Sequence, residues 1–317
     1  MDKGLAGEDA RYALPLATSA QLGMTVNGRT LEYMIRLLGA SPLAEARELG
    51  GLLLDAGMSI APSLLLFYEP GPYLTDRTGD LAAAVKSLWP DDAGRDRGPG
   101  EPEVARLEHA TPDGDGRVLA ALAQPCLSCG YDEALTRVKA LDGNGLSDLF
   151  RAVTRHMTIH DQPPREFEHA SMTFELVLSS AAFGQLKRHR MSSQTALPYD
   201  PGLGITVPPA VSNAGLESAL REAADDAEDM AAQIGCNNPA SAYALLNAHR
   251  RRVLVTLNLR EMYHVSRLRE DEHAQWDIRA VAAEMSRLAR EAFPVCAGLL
   301  GGKHEVEGRL ALSLDPP

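Results

Sequence analysis

Four cysteines stand in a chain of 317 residues, too few for a disulfide scaffold at this length. Cys126 and Cys129 form a single CxxC pair, with Cys236 and Cys296 far from it. No second pair completes a zinc site, so no metal is assigned, and the thiols are expected to be small, reduced and buried. The first residues, Met1-Asp2-Lys3-Gly4, are polar and show no signal-peptide pattern. Long apolar runs are also lacking. The longest, Gly50 to Phe67, is broken by Asp55 and Pro62 and reads as a buried helix and its exit rather than a membrane span. A cytoplasmic chain without a membrane partner is expected. Nor is there an excess of basic charge: 31 Lys and Arg against 43 Asp and Glu leave a net −12. That balance argues against nucleic acid as a partner, whose phosphates need a basic surface. A local basic pocket for a small phosphorylated ligand remains open, and the run Arg250-Arg251-Arg252 reads as a solvated face or a rim for anions.

The apolar share, 45%, and the charged share, 23%, are those of a globular protein, and the length suggests about two domains. Residues 71–103, rich in Gly, Pro and Asp, read as a linker that a short helix over Leu81–Trp89 interrupts. Residues 4–37 align without gaps to 235–268. Ten pairs are identical, among them Tyr12/Tyr243, Thr25/Thr256, Asn27/Asn258 and Arg29/Arg260, where composition alone would give roughly two. The repeat is lopsided, because the second copy has a long stretch before its aligned segment and the first has almost none. The sequence therefore reads as one and a half copies of one unit: the C-terminal half of a first repeat over 1–70, a linker over 71–103 and a complete domain over 104–317.

Within the fuller copy, Val118–Ala123, Leu146–His160, Ala181–Arg188, Leu216–Ile234 and Ala274–Ala292 read as helices. Ala170–Ser179 alternates as a strand does. Leu197–Val211 reads as a loop, and Val253–Leu268 as mostly helical. His156 and His160 have the helical spacing of zinc ligands, but Met157 stands where HExxH needs glutamate.

Three polar clusters carry the chemistry. Gln185-Leu186-Lys187-Arg188-His189-Arg190 puts two arginines around a histidine, and arginine forks match phosphate oxygens. Asn258, Arg260, His264, Arg269 and His273-Ala274-Gln275-Trp276-Asp277-Ile278-Arg279 form a second cluster, whose Asn258, Arg269 and His273 recur at helical spacings that fit a polar seam in a helical pair. Phe167-Glu168-His169 forms the third, just before the strand. Each alone could be a solvated polar face.

Taken in this order, the clusters resemble the flavin-dependent thymidylate synthase (ThyX) family, whose pattern is an E-H element, then RHR with a serine eight residues on, then N-x-R and H-A-Q-W-E-I. The resemblance covers residues 105 to about 300. Residues 1–66 resemble the C-terminal half of the same domain, with Glu8-Asp9-Ala10-Arg11-Tyr12-Ala13-Leu14-Pro15 similar to the family's E-x-A-R-x-x-L-P. It implies an α/β (α+β) fold, a small antiparallel sheet flanked by helices. The implied activity is reductive methylation of dUMP to dTMP with FAD, NADPH and methylenetetrahydrofolate. The implied assembly is a homo-oligomer, either a tetramer or a dimer forming a pseudo-tetramer. By the same resemblance, Glu168, Arg188, His189, Arg190, Asn258, Arg260, His264 and His273 would hold the flavin. Arg11, Gln185 and Arg269 would hold the nucleotide.

The departures are specific. Pro198 stands at the family's serine, so no catalytic residue is assigned. Asp200 stands at a nucleotide-contacting arginine, where a carboxylate against a phosphate would repel it. Ala242 stands where the first copy keeps Arg11, whereas the first copy has Leu38 for Arg269 and Pro42 near His273. This reciprocal loss implies composite pockets built from both copies. A degenerate half that binds flavin, or only pairs with an active partner, is the competing expectation.

Overall fold

The structure is a computed structural model that describes residues 3–90, 103–235 and 238–314. Cys236 and residues 91–102 of the expected linker lie outside the described residues. Helices in chain order are α1 (Lys3–Ala10), α2 (Gly28–Gly39), α3 (Ala44–Ile60), α4 (Pro72–Thr75), α5 (Arg77–Leu88), α6 (Gly114–Leu127), α7 (Tyr131–Lys139), α8 (Gly143–Thr154), α9 (Ser180–Leu186), α10 (Pro209–Asn213), α11 (Glu217–Ile234), α12 (Leu259–Arg269), α13 (Trp276–Ala292) and α14 (Lys303–Leu314). Strands β1 (Ala105–Ala110), β2 (Ser171–Ser179), β3 (Ser193–Ala196) and β4 (Arg250–Asn258) form one antiparallel sheet in the order β1-β2-β4-β3. The mixed class with a small sheet and many helices is the one expected.

The described residues fall into two compact units. The first takes in Met1–Leu14, Gly100–Asp226 and Leu246–Pro317 and holds the sheet. Alternation explains its central pair. Met172, Phe174, Leu176 and Leu178 of β2 and Val253, Val255 and Leu257 of β4 are buried at every second position. They belong to one core with Val281, Ala282, Met285 and Ala289 of α13. Closeness is obligatory at one point: a Cβ on Gly114 would lie 2.1 Å from the Phe293 ring, so the start of α6 admits only glycine there.

Two expectations over this unit are corrected. Residues 250–258, expected to be mostly helical from Val253, form β4 instead. The run Val253-Leu254-Val255-Thr256-Leu257 holds three β-branched residues, Val253, Val255 and Thr256, and β2 and β3 bracket it. The helix begins only at Leu259, where the Asn258 side chain accepts a hydrogen bond from the Glu261 amide at 2.8 Å. The helix expected to reach His160 stops at Thr154. The Asp161 carboxylate binds the Thr158 amide (2.8 Å) and hydroxyl (2.7 Å), a local turn that competes with helix. His156 and His160 therefore share no helix. The polar seam dissolves in the same way: Asn258 ends β4, Arg269 ends α12 and His273 sits in the turn before α13.

The second unit takes in Pro15–Pro99 and Ala227–Leu245. Helices α2 and α3 meet closely, since a Cβ on Gly50 would stand 3.0 Å from Leu38 Cβ. Asn27 caps α2 through the Thr30 amide at 2.9 Å. The expected buried run Gly50–Phe67 is mostly exposed: Leu52, Ile60, Leu66 and Phe67 face outward, because α3 buries only one side in the chain. The thiol expectation also changes, as Cys126 is exposed, Cys129 half-buried and Cys296 buried.

Candidate active site

A cavity of about 340 Å³ lies in the first unit, lined by Glu8, Arg11, Gln185, Arg188, Leu268, Arg269, Asp271, His273, Ala274, Gln275 and Lys303. It gathers all three residues expected to hold the nucleotide. Each arrives from a different element, and each is fixed locally.

Arg11 opens a short 3₁₀ turn, Arg11–Ala13, just after α1. The turn is anchored through Tyr12, whose fully buried ring stacks on Trp276 with centroids 5.7 Å apart. The Tyr12 hydroxyl donates to Asp277 Oδ2 at 2.9 Å and accepts from Gln275 Nε2 at 2.8 Å. Ser179 Oγ donates to the same Asp277 oxygen at 2.5 Å. The Trp276 indole donates to Asp9 Oδ1 at 2.8 Å, and the Asn247 side chain donates to the Arg11 carbonyl at 3.2 Å. Burial raises the Asp277 carboxyl above its ordinary range, and burial with Asp277 beside it raises the Tyr12 phenol, so both are committed to this network. Sequence reasoning picked out Arg11 but not its support. The signal was present in the Tyr12/Tyr243 identity and in the Gln275-Trp276-Asp277 run.

Gln185 lies in the last turn of α9, which begins at the Ser179 cap (Ala182 amide, 3.0 Å). Arg269 is the last residue of α12, where a cation suits the helix C-terminus. Its guanidinium donates to His189 Nε2 (2.9 Å), the Gln185 carbonyl (3.1 Å) and Gln185 Oε1 (3.4 Å), all neutral acceptors. Burial, then the Arg188 charge, lowers its pKa. A partly desolvated cation beside another cation is a setting that favours an anion.

The residues expected at the flavin are spread more widely. His189 is buried, with Nδ1 3.4 Å from Glu261 Oε1 but outside hydrogen-bond geometry. The His264 ring meets it edge-on at 5.5 Å, and burial lowers the His264 pKa despite Glu261 nearby. Arg188 and Arg190, on either side of His189, are exposed. Glu168 pairs with Arg165 (3.1 Å) and Arg260 (3.6 Å), and the Arg165 contact holds its carboxyl below the usual range. Arg260 also donates to the Pro163 carbonyl at 2.9 Å. Asn258 spends its side-chain oxygen on the α12 cap. His273 lines the cavity with Arg11 and Arg269.

The Pro198 loop lies elsewhere. Pro198, Tyr199 and Asp200 do not line the cavity. The Arg251 guanidinium sits over the Tyr199 ring at 4.3 Å and the Phe183 ring at 4.9 Å, and donates to the Leu197 carbonyl at 3.1 Å. Asp200 Oδ1 accepts from the Gly202 amide at 3.0 Å, capping the Pro201–Leu203 turn.

The sequence profile described as thymidylate synthase complementing protein matches residues 1–63 and 106–295. The chain belongs to this family, ThyX. A flavin-dependent thymidylate synthase of Geobacter sulfurreducens is 33% identical over 204 residues, covering 61% of this chain and 84% of its own length. A UPF0159 protein of Chlamydia muridarum is 26% identical over 297 residues, and another of Thermoplasma acidophilum is 27% identical over 305. Each covers 92% of this chain, whereas this ThyX chain spans only 56% and 58% of theirs. Among solved structures, a UMP/dUMP methylase, PolB from Streptomyces cacaoi bound with 5-Br dUMP, is similar with a TM-score of 0.50 and 21% identity. The likeness covers 61% of this chain and 92% of that one, and shows a shared fold.

Proposed function

We propose that this ThyX protein binds dUMP in the cavity and serves its reductive methylation to dTMP, with FAD as cofactor and NADPH and methylenetetrahydrofolate as cosubstrates. The observation that carries the reading is the convergence of Arg11, Gln185, Arg188 and Arg269 on one cavity. Three guanidinium groups with an amide offer the charge and the planar forks that a nucleotide phosphate needs. The relatives' names and the family point to the same chemistry.

The residues present fit a flavin. A buried His189 nitrogen lacks a hydrogen-bond partner, and exposed Arg188 and Arg190 flank it. Arg188, His189, Arg190, Asn258, Arg260, His264, His273 and Glu168 would hold it, and when bound it would supply the hydride equivalents that NADPH provides. The protein's own part is to bind and orient: Arg11 and Arg269 place the phosphate, and Gln185 offers an amide to the base or sugar. Burial raises the Cys296 thiol far above its ordinary range, so it is no nucleophile.

The tandem organisation, 1–70 and 104–317 around a linker at 71–103, belongs to the same proposal. The two separate matched stretches support it, as do Asn27 and Asn258, which cap α2 and α12 through the amide three residues on. It would let one chain supply both arginines of a composite pocket, with copies assembling as a dimer that mimics a tetramer or as a tetramer. Among the described residues no helix is long and apolar enough to cross a membrane.

A second reading, a flavin-binding half without catalysis of its own, is favoured by the Pro198 loop, none of whose residues 198–200 lines the cavity. Flavin absorbance of the purified protein and NADPH oxidation with methylenetetrahydrofolate separate the two. The first reading predicts a yellow protein whose oxidation of NADPH depends on dUMP; a yellow protein with no dUMP dependence selects the second.

A further inference from the structure

We propose that Lys303, outside the stretch matched to the ThyX profile, is a phosphate-binding residue of the nucleotide cavity. The inference rests on the nucleotide reading above.

The matched stretch ends at residue 295, and Lys303 is the first residue of α14. Its backbone is held by the residue before it. A Cβ on Gly302 would lie 2.6 Å from the Glu270 carbonyl oxygen and 3.1 Å from the Asp271 amide nitrogen. No side chain fits there, so the start of α14 sits directly on the chain that leaves α12. The Gly302 carbonyl accepts from the Glu305 and Val306 amides at 3.0 Å each, and Val306 is buried. Lys303 therefore starts from a fixed point beside Arg269.

Its ammonium lies 3.6 Å from Asp271 Oδ2, while Asp271 Oδ1 accepts from the His273 amide at 3.1 Å. One carboxylate thus sets two residues of the cavity wall. A half-exposed lysine–aspartate pair adds little to stability, and an ammonium carries three donors, of which Asp271 takes at most one. The remaining donors are available to a ligand in the cavity that Lys303 lines.

Charge decides what Lys303 adds. The cavity otherwise presents Arg11, Arg188 and Arg269 against Glu8 and Asp271, three minus two, or +1. With Lys303 the balance is four minus two, or +2, which matches a phosphate monoester of charge about −1.5 to −2 at neutral pH.

The test is titration of the 317-residue chain with dUMP and, separately, with deoxyuridine, which lacks the phosphate. For Lys303→Met, dUMP affinity is expected to fall about tenfold, with deoxyuridine binding unchanged and Lys303→Arg restoring most of the loss. Lys303→Gln reads the same loss of charge if the methionine variant does not fold. dUMP binding within twofold of wild type in these variants overturns the inference, as does an equal loss for deoxyuridine. A wild-type protein that binds flavin but no dUMP overturns the nucleotide reading itself, and this inference with it.

Discussion

The Nε–H of Arg269 donates to His189 Nε2 at 2.9 Å, which leaves the ring proton on Nδ1, facing Glu261 Oε1. One side chain thus lines the cavity and sets the tautomer of the central histidine in the RHR element. Tyr12 plays a comparable double part for Arg11, since its buried hydroxyl serves Asp277 and Gln275 together. Removing that hydroxyl leaves a buried carboxylate one donor short. Tyr12→Phe is expected to cost about 1–3 kcal/mol, read as a lowered urea midpoint with unchanged slope; a variant as stable as wild type would show that the network contributes nothing. At this scale the sequence was partly legible. Arginines announce anion chemistry by type alone, so Arg11, Gln185 and Arg269 could be named and are found together. The dispersed placement of Glu168, Arg260 and His273 could not be read, because ion pairs with Arg165 and turns after α12 are settled by tertiary contacts.

Among elements, the junction of β4 and α12 shows where reading stops. A continuous helix over 253–268 satisfied the apolar spacing, yet the Val-Leu-Val-Thr-Leu run pairs with β2 on one side and β3 on the other. Strand pairing needs partners distant in sequence, and β3, only four residues long, gave no signal of its own. The Asn258 cap marks the switch, and Asn27 makes the same bond at α2. Asn258→Ala and Asn27→Ala are each expected to cost about 1 kcal/mol by thermal or urea unfolding. Equal stability of either variant with wild type would mean that its cap is not formed. The HAQWD run was legible as a family mark but not as a brace, since its partners Asp9, Tyr12 and Ser179 lie far away in the chain.

For the whole molecule, the net charge of −12 coexists with a cavity that carries more cations than carboxylates. Global acidity and local basicity do not conflict, because screening limits a charge's reach to about 10 Å at ordinary salt. The family profile matches two separate stretches, residues 1–63 and 106–295. The burial state of α3 was not legible, since an apolar run reveals its composition but not what covers it: Leu52, Ile60 and Phe67 are exposed. The account depends most on Arg11, which stands near the N-terminus yet lines the same cavity as Arg269. Its direct test is the dUMP affinity of Arg11→Ala measured beside wild type. The account predicts a loss of at least about tenfold with flavin absorbance unchanged; equal affinity of the two proteins would contradict it.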